Sequence, residues 1–337
     1  MVTIREVAER AGVSLGTVSR VLNNHPSVRS AVRTKVNVAI QDLGYVPNPA
    51  AQSLRSARTR TIGLIVPDLL SSMTVELVRG VEDAVRPLGY ALLVAESRFD
   101  PAHEAIHITN LLDRRVDGLL ISPLESVSAV ERAVTPSGIP TVLIQLRQPR
   151  RELPSAFVDE GPAIRSAVAE LVAAGHRRVA FVHSAARVAG GRHRRELFRG
   201  TMAEHGITEG DELDGVFSDA EGCRRLVIEL LRRPNRPTAL VVGVHQFVPA
   251  ALRAIRDAGL EVGRDLSVIA FGDSEWARSM SPALSAIFVD QREHAEGAVD
   301  LLMRVMSGDR SGPMSIRSES VFIRRESCQP PRVEVAA

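Results

Sequence analysis

From Thr61 onward the chain repeats one pattern: a short continuous apolar run, a turn, then a longer stretch with apolar residues on one helical face. The runs are TIGLIV (61–66), YALLVA (90–95), DGLLIS (117–122) and TVLI (141–144), then RRVAFV (177–182), TALVVG (238–243) and LSVIAF (266–271). Helical segments are expected near 73–87, 101–114, 192–205 and 247–258, with a further one after DGLLIS. A strand that is apolar on both faces needs cover on both, so the alternation predicts a parallel sheet between helical layers. There are more units than one small sheet holds. The expected solution is two similar α/β lobes, with a ligand cleft between them at the C-terminal ends of the strands.

Residues 1–60 have a different texture. They hold nine basic and three acidic residues, a charge of +6, although the whole chain carries only +2. The remainder is therefore slightly acidic, at −4. A basic head on an acidic body predicts a polyanionic partner for the head alone. Lys35 is the only lysine, which reads as a compositional bias toward arginine. The 337 residues, 45% hydrophobic and 24% charged, suit two or three globular units. No apolar window is long enough to cross a bilayer, and MVTIREVAER has no signal-peptide core, so a cytoplasmic protein with no membrane partner is expected. Two distant cysteines, Cys223 and Cys328, suggest neither a disulfide framework nor a metal cluster.

The head divides further. Residues 1–45 carry short helical patterns, and VPNPAAQSLRSARTR (46–60) reads as a linker. Ile4–Ala11 places Ile4, Val7, Ala8 and Ala11 on one face of a helix. Gly12 supplies the positive φ of a tight turn. Ser14 is a good N-cap for a second helix, which buries Val18, Val21 and Leu22. A third helix near 31–43 would close the core through Val32, Val36, Ile40 and Leu43. This is a helix-turn-helix, and the outward face of its second helix presents Leu15, Gly16, Ser19 and Arg20 to a major groove. Arg20 is the expected base reader, because its planar fork matches guanine O6 and N7. Hydroxyls of Thr17 and Ser19 suit phosphates. Thr3, Ser14, Asn23, Arg33 and Tyr45 complete the expected DNA-contacting set of the head.

The run VTIREVAERAGVSLGTVSRVLNNHPSV, followed by AIQDLGYVPNPAAQSLR, resembles the signature of the lactose-repressor (LacI/GalR) family, and the similarity continues to RRES at 324–327. The resemblance implies an α/β fold class with an N-terminal helix-turn-helix headpiece (1–45), a hinge helix or linker (46–60), and a two-lobed body like periplasmic sugar-binding proteins (61–330). It also gives the linker a role. Asn48 and Pro49 suit a helix start. By resemblance, Leu54 wedges into the minor groove from each subunit of a homodimer while Ala51 packs the paired hinge helices. Arg55, Arg58 and Arg60 would add phosphate contacts.

The family's effector site maps less evenly. An Asn-Pro-Phe-type loop is replaced by Ser71-Ser72-Met73, and an Asn-Asp pair by Val244-His245. Arg194 is kept, Asp273 keeps one acidic position beside Gly272, and Phe217 matches a ligand-stacking position. Ser71, Met73, Arg194, Phe217, His245 and Asp273 are therefore the expected effector contacts, for a carbohydrate-like or anionic metabolite. No cofactor is expected.

Three motif matches lack their context. HEAIH (103–107) fits a zinc pattern, but an inward stripe of Ala105, Ile108 and Leu112 would put both histidines outside. GVSLG (12–16) fits a nucleophile elbow, yet a helix precedes it where a strand is required. Gly190-Gly191 has no phosphate-loop spacing and reads as a flexible cleft loop. The expected function is a DNA-binding transcription regulator, most plainly a repressor acting as a homodimer on a near-palindromic operator. A solute-binding module without a regulatory role is the second class, and an enzyme on an α/β scaffold the third.

Overall fold

The computed structural model describes residues 2–22, 25–45, 58–124, 127–146, 153–183, 189–207, 212–214 and 219–332. The chain divides into two compact units, Met1–Thr59 and Arg60–Ala337.

The first unit is built from α1 (Ile4–Ala11), α2 (Leu15–Leu22) and α3 (Ser30–Leu43). Thr3 caps α1 through a capping box: its hydroxyl accepts from the Glu6 amide, while its own amide donates to Glu6 Oε2 at 2.6 Å. Gly12 ends α1 at φ 64°, a conformation that costs other residues strain. Ser14 Oγ accepts from the Thr17 amide at 3.2 Å, the N-cap bond expected of it. Val7, Ala8, Val18, Val21, Val36 and Ala39 form the buried core. Ile4, Ala11, Leu22, Ile40 and Leu43 flank it half-buried. Ala39 joins Val36 in the core on α3, whereas Val32, expected there, is half-buried and outside it.

In the second unit the chain runs β1 (Thr61–Val66), α4 (Ser72–Val85), β2 (Ala91–Glu96), α5 (Pro101–Asp113), β3 (Gly118–Ile121), α6 (Val127–Val134), β4 (Thr141–Leu146) and β5 (Ser155–Asp159). It continues through α7 (Gly161–Ala173), β6 (Val179–His183), α8 (Ala189–Glu204), β7 (Glu212–Asp214), α9 (Ala220–Leu231), β8 (Ala239–Val242) and α10 (Val248–Asp257). It ends with β9 (Ser267–Phe271), α11 (Glu275–Ser279), β10 (Ser285–Val289), α12 (Gln291–Ser307) and β11 (Ser315–Ile323).

The strands lie in the order β2-β1-β3-β4-β5-β11-β10-β9-β8-β6-β7. Every pairing is parallel except β10 with β11. Two lobes are present, but β11 belongs to both: Ser315–Glu319 pairs with β5 of the first lobe, and Ser320–Ile323 with β10 of the second. The strand-helix alternation alone does not reveal this shared strand. Its residues are mostly half-buried or exposed, unlike the fully buried β3, β6, β8 and β9 and β1 beyond Thr61.

Each lobe has a core on either face of its strands. In the first, Ile62, Leu64 and Val66 pack with α4 and α12, and Ile65, Leu119, Ile121 and Leu143 with α5 and α6. α12 follows β10 of the second lobe yet packs on the first. Gly80 lets α4 and α12 approach, since a Cβ there would stand 2.8 Å from that of Ala295. In the second lobe, Leu240, Val242 and Val268 pack with α9 and α10, and Phe181, Val241 and Ile269 with α7 and α8. Fully burying each such side chain contributes roughly 1.5–3 kcal/mol.

Two expectations need correction. On α5 the inward residues are Glu104, Ile108 and Leu111, while Ala105 is exposed and Leu112 half-buried. Glu104 fits inside because Oε2 accepts from the Leu124 amide at 3.0 Å; burial pushes its carboxyl pKa up. His103 faces outward. Gly190 and Gly191 lie in the first turn of α8 and not in a loop. Among the described residues, no helix is long and apolar enough to cross a membrane.

Candidate functional site

The head presents one face of α2. Gly16 and Arg20 are exposed, and Leu15, Thr17 and Ser19 half-buried, opposite the buried Val18 and Val21. The Thr17 hydroxyl lies 2.9 Å from Ser14 Oγ, so these two polar groups share the start of the helix. Arg33 donates to the His25 carbonyl at 3.0 Å, bracing the turn before α3. Tyr45 packs against the core, and Arg10 pairs with Asp42 at 2.9 Å. Thr3 is exposed at the start of α1. Asn23, Ala51, Leu54 and Arg55 lie outside the described residues, as do Asn48 and Pro49.

The body holds a cavity of about 220 Å³ at the C-terminal ends of the strands. Asp68 follows β1, Ser122 follows β3, Glu160 follows β5, Val244 and His245 follow β8, and Phe271 ends β9; all of them line it. This is the position the alternating pattern predicts. Ser71, Met73, Arg194 and His245 of the expected contact set also line it.

Arg194 is not free for a ligand. Its guanidinium grips Glu160 with two nitrogens, one of them at 2.8 Å, donates to the Gly243 carbonyl, and stacks 4.1 Å from the Phe271 ring centre. The two side chains are 14% and 5% exposed, so the charges neutralise each other inside the protein. Glu160 carries no motif signal in the sequence: it stands next to a helix start, 34 positions from its partner.

His245 spans the cleft. Nδ1 lies 3.1 Å from the Phe271 carbonyl, which only accepts, so Nδ1 carries the proton. Nε2 then accepts from Ser72 Oγ at 2.8 Å, joining the second lobe to α4 of the first. Burial lowers the His245 pKa, favouring this neutral form. Gly272 makes the arrangement possible: a Cβ there would stand 2.6 Å from His245 Nδ1 and 2.9 Å from Met73 Sδ. The imidazole and thioether occupy the room a side chain at 272 would take.

Asp273 departs from the expected role. Its carboxylate is gripped by Arg325 at 2.7 and 2.8 Å and approached by Arg278 at 3.0 Å, and it does not line the cavity. Its oxygens are filled by the arginine of the RRES segment, so it holds the C-terminal chain to the second lobe. Phe217 lies outside the described residues. Asp68, Gln145 and Phe99 are further lining residues that motif matching passed over. Phe99 and Gln145 have positive φ, 56° and 55°, a conformation uncommon outside glycine and found at functional sites. Cys223 and Cys328 are buried thiols, pushed by burial to pKa values of about 12 and about 11.

Comparison with known proteins supplies the context. The profile of the bacterial regulatory proteins, lacI family, matches residues 3–48, and that of the periplasmic binding protein-like domain matches residues 168–328. Catabolite control protein A of Priestia megaterium is 30% identical over 316 residues, 91% of this chain and 93% of that one. The ribose operon repressor of Escherichia coli is 32% identical over 311 residues, 90% of this chain and 92% of that one. The crystal structure of the lac repressor dimer bound to operator and the anti-inducer ONPF matches with a TM-score of 0.88 at 29% identity, covering 97% of this chain and 99% of that one. A helix-turn-helix head, a two-lobed strand-end cavity and these near full-length similarities lead to one conclusion: the chain belongs to the lacI family of bacterial regulatory proteins, DNA-binding regulators of transcription.

Proposed function

We propose that this protein is a repressor that binds a near-palindromic operator as a homodimer and senses a small effector in the cleft of its body. The reading rests above all on one pairing: an exposed, Arg20-bearing recognition helix in the head, and a strand-end cavity lined from both lobes in the body. Two-fold symmetry in the protein implies two-fold symmetry in the operator. On this reading Arg20 reads a base, while Thr3, Ser14, Leu15, Gly16, Thr17, Ser19, Asn23, Arg33 and Tyr45 position the head. Leu54 and Ala51 of the hinge bend the DNA and pair the subunits, and Arg55 contacts phosphate.

Ser71, Met73 and His245 are the effector contacts on this reading, with Arg194 behind them on the cavity wall. Because Glu160 already neutralises Arg194, the guanidinium acts through the ring of Phe271 and the orientation of Glu160, not as a free anion receptor. An effector that prefers one closure of the lobes shifts the population between states that bind operator and states that do not. The His245–Ser72 bond is one contact that closure makes or breaks.

The test is a binding selection on sheared DNA of the source genome with the full-length protein, repeated with a metabolite pool. Enrichment of a few near-palindromic sites, with affinity falling steeply in salt, is the expected result. Absence of any enriched site under both conditions would overturn the reading.

A further inference from the structure

Two acceptor atoms of the cleft are buried without a hydrogen-bond partner, Asp68 Oδ2 and Gln246 Oε1. Both residues line the one cavity, Asp68 from the first lobe after β1 and Gln246 from the second after β8. Asp68 is 6% exposed. Its other oxygen, Oδ1, accepts from the Leu70 amide at 2.9 Å, so its own loop holds the carboxylate and leaves one oxygen over. An acceptor buried in this way loses its water and gains nothing in return, unless something else donates to it. Burial pushes the Asp68 pKa up and the nearby Glu96 adds to the push, while the Leu70 and Ser71 amides act against it.

The charges along the wall sharpen the point. Glu160 is matched by Arg194, burial keeps His245 neutral, and His193 is a further titratable side chain of the wall. Asp68 has no ion pair among the described residues. The remaining wall is largely apolar, with Met73, Phe99 and Ile287 among its residues.

Taking the body as an effector sensor, as proposed above, we infer that the cleft binds a small organic amine as its ammonium cation. The N–H donors satisfy Asp68 Oδ2 and Gln246 Oε1, and the carbon frame lies against Met73 and Phe99. Glu160, by occupying Arg194, is a specificity residue that turns anions away. An ammonium group suits such a carboxylate better than a hydroxyl, because the charge-assisted bond is the stronger one. A carboxylate or phosphate ligand would instead add charge of the same sign as Asp68.

Calorimetric titration of the full-length protein tests this with two matched probe series. One is cyclohexylmethylamine, cyclohexylmethanol and cyclohexanecarboxylate; the other is glucosamine, glucose and glucuronate. In at least one series the amine should bind at least about tenfold more tightly than its neutral partner, with no binding by the carboxylate. Asp68→Asn should remove that preference, and Glu160→Gln, by freeing Arg194, should admit the carboxylate. A neutral or anionic member binding as tightly as the amine in every series that binds overturns the inference, and so does an amine affinity untouched by Asp68→Asn. The wild-type series needs no variant, so the test holds even where a substitution prevents folding. If no probe binds but a metabolite pool still alters operator binding, the amine class is wrong and the sensor reading stands. If neither acts, both fall.

Discussion

On α2 of the head, Arg20 and Gly16 stand exposed while Val18 and Val21 beside them are buried. In the cleft of the body, Arg194 and Glu160 are both inside and bonded to each other. One arginine is displayed on a helix whose stability comes from the opposite face. The other is part of the packing that holds the second lobe together. Function and stability are therefore separable in the head and entangled in the cleft, and substitutions should report this difference.

Arg194→Ala should have the largest effect. It leaves Glu160 buried without its counter-charge, a change that typically costs about 3–5 kcal/mol. Thermal or denaturant melting of the body should show it, and an unchanged melt would mean that Glu160 finds another partner. Arg20→Ala should leave the melt within about 0.5 kcal/mol of wild type, as surface substitutions usually do. Its effect belongs in DNA discrimination, with about 1–3 kcal/mol of preference lost at one base position. A wild-type sequence preference would remove Arg20 from the reading face.

Gly272→Ala falls between these cases. The φ of 91° disfavours a Cβ, and the new atom meets His245 and Met73 across the cleft. A loss of about 1–3 kcal/mol is expected from strain of this kind. Loss of the His245–Ser72 bond should accompany it, visible as a changed histidine resonance. An undisturbed His245 signal would mean that the clash is relieved without moving the ring.

The smallest effect concerns pH. Burial holds His245 below the ordinary histidine pKa, so the unfolded chain takes up this proton near pH 6.5 while the folded chain does not. As pH falls the unfolded state binds the extra proton, so the stability His245 contributes is full above about pH 6.5 and shrinks below it. The stability gap between wild type and His245→Asn should therefore narrow from pH 7.5 to pH 5.5. A gap that widens would contradict the neutral, Nδ1-protonated ring. Asp68 and Glu104, with raised pKa values, act in the opposite sense at lower pH, which is why the comparison uses the variant and not the wild type alone.

Local periodicity and short motifs are enough to lay out the elements of this chain. A 3.6-residue stripe, a glycine at φ 64° and a serine N-cap suffice for the head, because its core forms between neighbouring helices. Continuous apolar runs between amphipathic helices suffice for a parallel α/β body with its cleft at the strand ends. Which polar groups meet is settled by the folded arrangement. Arg194 finds Glu160 across 34 positions, Arg325 takes Asp273 across 52, and Ser72 reaches His245 across 173. Nor does periodicity say that β11 serves both lobes or that Glu104 replaces Ala105 on the inner face of α5. The reason is physical. Burial of apolar surface has no preferred partner, so the spacing of apolar residues is enough to place an element. A buried charge requires one particular counter-charge at hydrogen-bond distance, and that distance exists only once the chain has folded.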